Sequence, residues 1–159
     1  MPLFSSYLQS IGMKNAKSDN ESTSESKQES VPTFVSPIAK PLAGKSLEKK
    51  VFKLVKKAAK AKCTRRGVKE VVKSIRKNEK GVMILAANIA PMDVISHIPL
   101  LCEEKSIPYI FVSSKEALGD AATTKRPTSC IHVVLKEDFP EKSKYDEVFD
   151  EVMKLDRSL

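Results

Sequence analysis

The chain has 159 residues, enough for one domain of roughly 100–120 residues with flanking segments. With 41% hydrophobic and 30% charged residues it has the composition of a soluble globular protein, which argues against disorder throughout. The net charge is +8, no apolar stretch is long enough to span a bilayer, and the N-terminus lacks the pattern of a signal peptide.

The charge is unevenly distributed along the sequence. Residues 40–80, the basic band, contain 16 Lys and Arg against 3 acids, a balance of +13 that leaves −5 for all other residues. Residues 81–135 are nearly neutral, and residues 136–159 have 5 basic and 8 acidic side chains. Such a clustered basic face is typical of proteins that bind a polyanion, usually nucleic acid. The alternative is a solvated lysine-rich face without a partner.

The N-terminal region is predicted to lie outside the folded domain. Residues 1–30 are rich in Ser, Glu and Lys and bury too little apolar area to offset the entropy of ordering, so we expect a disordered, phosphorylatable tail. Residues 31–44 contain three prolines and several apolar residues. They are predicted to form an extended arm that lies on the domain or on a partner.

Two basic helices are predicted within the basic band. Ser46 can cap a helix beginning near Leu47, and a second helix follows Gly67, a residue that permits unusual backbone dihedrals. Both helices have an apolar stripe at spacings of three and four residues. The stripes consist of Leu47, Val51, Leu54, Val55 and Ala58 in the first helix and Val68, Val71, Val72 and Ile75 in the second.

Short apolar runs alternate with helical segments in the second half of the chain. Three of these runs are predicted to be buried strands: Val82–Ala87, Pro108–Val112 and Cys130–Leu135. Between the first two we expect short helices over Met92–Ile98 and from Pro99 to about Lys105. The alternation predicts an α/β domain over residues 45–137 with helices on both faces of the sheet. Residues 138–159 are predicted to contain an acidic amphipathic helix that either docks near the basic band or meets a partner.

The sequence lacks the motifs of common catalytic, metal and cofactor sites. No G-x-S-x-G, Walker A or G-x-G-x-x-G pattern occurs, and the three cysteines are widely separated, which is consistent with a reducing, intracellular compartment. His97 and His132 are too isolated for a metal site, so we expect both to be buried structural residues. We therefore expect no catalytic residue, no metal, no cofactor and no small-molecule substrate.

Three loops are candidates for RNA contact. In Arg65–Lys73, Gly67 lets the backbone approach a phosphate and the following helix offers free N–H groups, although Gly67 could be only a turn. In Ala86–Pro91, small and apolar residues could pack beneath an unstacked base, or could simply form a turn. Thr123–Pro127 has two basic residues at the tip of an otherwise uncharged loop. Basic residues at loop tips are common in proteins, so this segment alone is weak evidence for RNA contact.

Three strings give these loops a more specific meaning. RRGVKEVVKSIRKNEKG, AANIAPMDVISHIPLLCEEKSIPYIFVSSKEALG and TKRPTSC, in this order and spacing, resemble the kink-turn-binding family of ribosomal proteins over about residues 45–135. Within that family, the GVKEVVK and TKRPTSC strings and the preceding IAKPLA arm are most similar to the branch found in H/ACA ribonucleoproteins. The resemblance implies a three-layer α/β/α sandwich with a mostly buried mixed sheet and no catalysis.

The resemblance also implies partners and a location. It implies a nucleolar particle whose H/ACA guide RNA directs uridine-to-pseudouridine conversion in ribosomal RNA, with the chemistry performed by a separate pseudouridine-synthase subunit. A small bridging subunit would contact the helices around residues 92–102. Ile95, Ile98 and Leu101 are candidates for that contact, although core packing is the simpler role for most apolar residues there.

Matching the family's motif to this sequence, together with the adjacent basic residues, gives a candidate RNA site. The candidate residues are Arg66, Gly67, Lys69, Glu70, Lys73, Asn88, Ile89, Ala90, Val94, Thr124, Lys125 and Arg126. Lys69 stands where kink-turn binders have Asn, and Ala90 where they often have Glu. A lysine cannot present the paired donor and acceptor of an amide, so we expect binding mainly through phosphates and shape.

Two alternatives remain open from the sequence. One is a kink-turn-binding subunit of a box C/D particle or of the ribosome. The other is a protein-interaction module on the same fold without an RNA role.

Overall fold

The computed structural model describes residues 34–137, 139 and 141–156. The predicted N-terminal tail over residues 1–30 and the first residues of the arm lie outside the described part of the chain. No helix within that part combines the length and the apolar character that a bilayer crossing requires.

The centre of the fold is a mixed four-stranded sheet. Its strands are β1 (Thr64–Arg66), β2 (Gly81–Ala86), β3 (Tyr109–Val112) and β4 (Cys130–Val134), in the order β1-β4-β2-β3. β2 pairs parallel to β3, whereas β4 pairs antiparallel to both β1 and β2. The three predicted apolar strands are confirmed, because every residue of β2, β3 and β4 is buried.

Helices cover both faces of this sheet, as predicted. They are α1 (Lys45–Lys60), α2 (Val68–Arg76), α3 (His97–Glu104), α4 (Lys115–Ala121) and α5 (Lys142–Asp156), with a 3₁₀ turn over Met92–Val94. α1 packs against α4 and α5, and α2 packs against α3. All five residues of the predicted α1 stripe are buried. In α2, Val71 and Ile75 reach the core while Val68 and Val72 are half-buried.

Several local predictions differ from the structure. α1 begins at Lys45 with Gly44 at the cap position, so Ser46 lies inside the helix and does not cap it. The helix predicted over Met92–Ile98 is a single 3₁₀ turn, and α3 already begins at His97 with Pro99 in its first turn. Pro99 is tolerated there because the first N–H groups of a helix have no intrahelical partner. His97 is exposed rather than buried.

The arm lies on the domain, which is one of the two predicted alternatives. Leu42 forms a parallel bridge with Phe111 at the free edge of β3. Phe111 donates its N–H to the carbonyl of Pro41 (2.9 Å) and accepts from the N–H of Ala43 (2.8 Å). These bonds cover part of an edge that would otherwise present unpaired backbone groups.

α5 docks intramolecularly on the basic band. Tyr145, Val148 and Val152 are buried in the common core. Two ion pairs connect α5 and its preceding turn to α1, namely Lys50–Glu151 and Lys57–Glu141. Partly exposed ion pairs contribute little to stability, so the buried apolar side chains are the main attachment of α5.

Candidate nucleic-acid interface

The sheet pairing brings the three predicted loops to one end of the molecule. Gly67, directly after β1, donates its N–H to the carbonyl of Cys130 (3.1 Å), and Ala86, the last residue of β2, donates to the carbonyl of Ser129 (2.9 Å). Ser129 ends the loop that begins at Thr123. The loops are therefore neighbours because the strands that precede or follow them are hydrogen-bonded to each other.

Gly67 has the unusual backbone that its sequence context predicted. Its φ of 85° and ψ of 152° lie in a region that side chains other than glycine rarely adopt. A Cβ placed there would meet nothing within 4 Å, so the backbone at this point faces open space. The glycine turns the chain directly from β1 into α2 and leaves the N-terminus of α2 accessible.

A shallow groove of about 650 Å³ separates this turn from the third loop. Its lining consists of Arg66, Gly67, Thr124, Lys125, Arg126, Pro127, Thr128 and Ser129. The three basic side chains are all exposed, and the ion pairs of the described residues include none of them. The groove thus joins exposed cationic side chains to an open stretch of backbone, an arrangement that suits the phosphate backbone of a nucleic acid.

The third loop is held in place by α4. Thr124 Oγ1 lies 3.2 Å from the carbonyl oxygen of Gly119 and 2.9 Å from that of Arg126. Thr128 donates its N–H to the carbonyl of Lys115 (3.1 Å). A Cβ on Gly119 would lie 2.4 Å from the carbonyl oxygen of Arg126, so only glycine allows this approach. Thr124 therefore supports the loop that presents Lys125 and Arg126.

In the second loop, two of the predicted RNA-contact residues, Asn88 and Ile89, hold the loop against the rest of the domain. The Asn88 side chain accepts from the N–H of Lys115 (2.8 Å) and donates to Glu116 (3.0 Å), which braces the loop against the start of α4. The backbone N–H of Glu116 itself, followed by the Ser114 hydroxyl and this amide, holds the pKa of the Glu116 carboxyl below its usual range. Ile89 is buried against the core, whereas Ala90 and Val94 are exposed. Among the apolar residues predicted to contact RNA here, Ala90 and Val94 are therefore more accessible to a base than Ile89.

α2 presents its basic side chains to solvent. Lys69 and Lys73 are exposed one turn apart, and neither is in an ion pair with any described residue. Glu70 lies within 3.4 Å of the backbone N of Arg66, so its carboxylate faces the N-terminal end of its own helix. An acidic side chain at this end of a helix interacts favourably with the helix dipole, which gives Glu70 a structural role.

A buried polar network fixes α2 to the sheet, and the sequence analysis missed it. Ser74 Oγ donates its one proton to Glu79 (2.7 Å). In its contact with His132 Nδ1 (2.6 Å) the same oxygen must therefore accept, so the proton of the neutral histidine is on Nδ1. Glu79 also pairs with Arg65 at 3.6 Å. The hydrogen bond from Ser74 lowers the pKa of Glu79, and burial lowers that of His132 to about 4. Confirming the expectation for His132, the ring is fully buried.

The predicted protein-contact residues lie mostly inside the core. Ile95 and Ile98 have no exposed surface, so a partner cannot reach their side chains in this conformation, and core packing accounts for both. Leu101 is half-buried. On the outer side of the same region, Leu100 is 61% exposed and Val94 43% exposed.

The acidic, histidine and cysteine side chains of the described residues are dispersed through the fold. Among them, no three His, Cys, Asp or Glu side chains are grouped to hold a metal ion. All three cysteines are buried and free. Burial raises the pKa of the Cys102 thiol to about 12 and that of Cys130 to about 11, which keeps both protonated at neutral pH.

Comparisons with known proteins agree with this geometry. The sequence profile of the ribosomal protein L7Ae/L30e/S12e/Gadd45 family matches residues 49–143. The chain is 55% identical over 92 residues to the H/ACA ribonucleoprotein complex subunit nhp2 of Schizosaccharomyces pombe, covering 56% of this chain and 60% of that protein. It is 48% identical over 91 residues to the H/ACA ribonucleoprotein complex subunit 2 of Bos taurus, covering 57% and 58% of the two chains. The chain thus spans about three fifths of the length of both relatives.

A solved structure has the same fold. The 15.5kD RNA binding protein of Giardia lamblia superposes with a TM-score of 0.72 at 30% sequence identity. The match covers 76% of this chain and 99% of the Giardia protein.

Proposed function

The chain belongs to the ribosomal protein L7Ae/L30e/S12e/Gadd45 family, and from this premise we propose that it is a non-catalytic RNA-binding subunit of an H/ACA small nucleolar ribonucleoprotein. The relatives named as H/ACA subunits, at 55% and 48% identity, support the branch of the family. The named RNA-binding protein of the same fold supports RNA as the ligand.

The observation that carries the proposal is the basic groove between Gly67 and the third loop. It combines an open backbone turn, the N-terminus of α2 and three unpaired cationic side chains at one end of the sheet. Backbone N–H groups and flexible cations are the groups that position a protein on a phosphate backbone. In this arrangement Arg66 lies at the Gly67 turn and Lys125 and Arg126 lie in the third loop, so phosphates are attracted from two sides of the groove. Lys69 and Lys73 add exposed positive charge along α2 outside the groove lining.

The groove favours binding by charge and shape over base reading. Ala90 has no polar side-chain atom, the amide of Asn88 is occupied by the start of α4, and Glu70 faces its own helix end. Few groups at the site are thus free to read base edges. Selection of the guide RNA then depends on the other subunits of the particle as well as on this chain.

Within the particle the chain supports guide-RNA-directed pseudouridylation and processing of ribosomal RNA. It holds the guide RNA, while a separate pseudouridine-synthase subunit converts uridine and a small bridging subunit connects the two proteins. Such a particle works in the nucleus and nucleolus. The exposed Leu100 and the half-buried Leu101 are the accessible apolar candidates for the bridging contact.

A reconstitution experiment tests this proposal. The full chain is mixed with the bridging subunit, the synthase subunit and an H/ACA guide RNA, and the synthase is then captured. The proposal predicts that the chain is retained and that K69A/K73A reduces its retention through RNA. Absence of the chain from the captured particle contradicts it.

Comparison of kinked and unkinked RNA separates the alternatives. We expect the isolated chain to bind both with similar affinity. Strong preference for the kinked RNA would instead indicate a subunit of a box C/D particle or of the ribosome, and no RNA affinity at near-physiological salt would indicate a protein-interaction module.

A further inference from the structure

One face of α1 has a row of lysines that the loop site does not use. α1 has 16 residues, so its axis is about 24 Å long. At about 100° per residue, five of its lysines fall within an arc of roughly 80° on the solvent side. This lysine ridge consists of Lys45, Lys49, Lys53, Lys56 and Lys60, all of them exposed.

The ridge differs from the other lysines of the helix in having no ion-pair partner among the residues that the structure describes. Lys50 and Lys57, on the flank of α1, pair with Glu151 and Glu141. Of the ion pairs among the described residues, none includes a ridge lysine. The single acid of α1, Glu48, is turned to the opposite flank, where its carboxylate accepts from the backbone N–H of Ser113 at 2.9 Å. Within the described part of the chain, no ion pair therefore offsets the charge of the ridge.

A second groove extends from the loop site to the C-terminal end of α1, the helix that has the ridge. This groove has a volume of about 340 Å³ and is lined by Ala59, Lys62, Thr64, Arg65, Arg66, Glu70, Ala122 and Thr123. It shares Arg66 with the groove of the loop site, and it reaches Ala59 and Lys62 at the C-terminal end of α1. The groove contains three basic side chains, Lys62, Arg65 and Arg66, and one acid, Glu70. The ridge lysine next to it in the chain is Lys60, which directly follows Ala59.

We propose that the lysine ridge is a second RNA-binding surface, which receives the phosphate backbone of a duplex stem that continues from the RNA held at the loop site. The proposal rests on the proposed function, because it requires that the loop site binds RNA. Lysines one helical turn apart rise by about 6 Å along α1, and their flexible stems let point charges follow a backbone without reading its sequence. Double-stranded RNA is recognised mainly in this manner, by shape and by phosphate contacts.

The composition of the ridge favours RNA over an acidic protein. Protein–protein interfaces are depleted in lysine and depend on buried aromatic or arginine anchors. The ridge has neither, and Phe52, the aromatic residue of α1, is half-buried at its edge. Continuity with the loop site through Arg66 is a second argument that one RNA spans both surfaces.

The experiment compares two RNAs and two variants of the full chain. One RNA is a stem-loop with a stem just long enough for the loop site, and the other has the same loop with the stem extended by about ten base pairs. The ridge variant is K53Q/K60Q. The control variant K80Q/K105Q removes the same charge from exposed lysines at the opposite end of the sheet. Thermal unfolding verifies that both variants fold.

We expect the ridge variant to bind the long RNA about three- to tenfold more weakly at moderate salt, with a salt slope that is shallower by roughly 2. Its affinity for the short RNA should be nearly unchanged, and the control should match the unmodified chain on both RNAs. Equal losses of affinity in the two variants would mean that net charge alone determines binding, which would overturn the proposal that the ridge is an RNA-binding surface.

Two other results separate the ridge from the proposed function. If the unmodified chain binds the short and long RNAs with equal affinity and the ridge variant does the same, the ridge proposal is wrong while the loop site stands. If the unmodified chain binds neither RNA, the proposed function itself has failed. Unchanged affinity for the long RNA, combined with loss of a protein subunit from the reconstituted particle, would assign the ridge to an acidic partner and overturn the proposal.

Discussion

Gly119→Ala probes whether α4 positions the basic loop of the site. The new Cβ would lie 2.4 Å from the carbonyl oxygen of Arg126 and 3.3 Å from the Cα of Pro127. Both neighbours are backbone atoms, which cannot move aside by a change of rotamer. The loop must therefore shift by about 1 Å to restore an ordinary contact, and Arg126 shifts with it.

Two opposing terms set the size of the effect on stability. Overpacking of this kind costs about 1–3 kcal/mol, whereas replacing a helical glycine by alanine stabilises the helix by about 1 kcal/mol. The net expectation is a loss of roughly 0–2 kcal/mol in the free energy of unfolding. RNA affinity should fall more clearly, because the shift moves Lys125 and Arg126 out of their positions in the groove. The stabilisation of the helix by alanine does not restore those positions.

Thermal unfolding and RNA titration of the variant measure both terms. Gly44→Ala is the matched control, since a Cβ there meets nothing within 4 Å and its φ of −66° suits alanine. We expect the control to bind RNA as the unmodified chain does. A Gly119→Ala chain that is more stable than the unmodified chain and binds RNA equally well would refute the close approach of the loop to α4.

Three further predictions concern the elements around the groove. Lys69→Ala and Lys73→Ala should each weaken binding of all RNA sequences and reduce the salt slope by about 1 in filter binding, and an unchanged slope in both would remove them from the interface. Gly67→Ala should cost about 1–3 kcal/mol in chemical unfolding, because alanine is strained at a φ of 85°, and a loss below about 0.3 kcal/mol would argue against that backbone. The stability of the unmodified chain should depend on pH through His132, because burial lowers the pKa of its ring to about 4 in the folded chain. Between pH 6.5 and 4 the unfolded chain therefore binds more protons than the folded chain. As the pH falls through that window, the free energy of unfolding should decrease by up to roughly 3 kcal/mol. A flat profile there would contradict the buried neutral ring.

The core could be predicted from the sequence because burial alone determines where its apolar residues fall. Every residue of β2 is buried on both faces, so the run Val82–Ala86 contains no polar residue, and the helix stripes repeat at the period of an α-helix. β1 was missed because a three-residue edge strand with half-exposed Thr64 and Arg65 has no such pattern. Its pairing with β4 is a contact between residues far apart in sequence.

The candidate site was less predictable, because the role of a polar side chain depends on neighbours that the sequence does not reveal. Asn88 was expected to face RNA, yet its amide braces a residue 27 positions away. Ser74 occupies an ordinary helix position in the sequence, but His132, 58 residues later, makes it part of a buried network. The unusual backbone at Gly67 could be predicted from the sequence because it depends only on adjacent residues.

The central claim is that this chain holds H/ACA guide RNA at the loop site. Sequencing of the RNAs crosslinked to the full chain in cells tests it most directly. We predict enrichment of H/ACA guide RNAs, with crosslinked peptides from residues 66–73 and 124–126 and loss of the crosslinks in K69A/K73A. Enrichment of box C/D or ribosomal RNA instead, or recovery no higher than that of an uncrosslinked sample, would contradict the account.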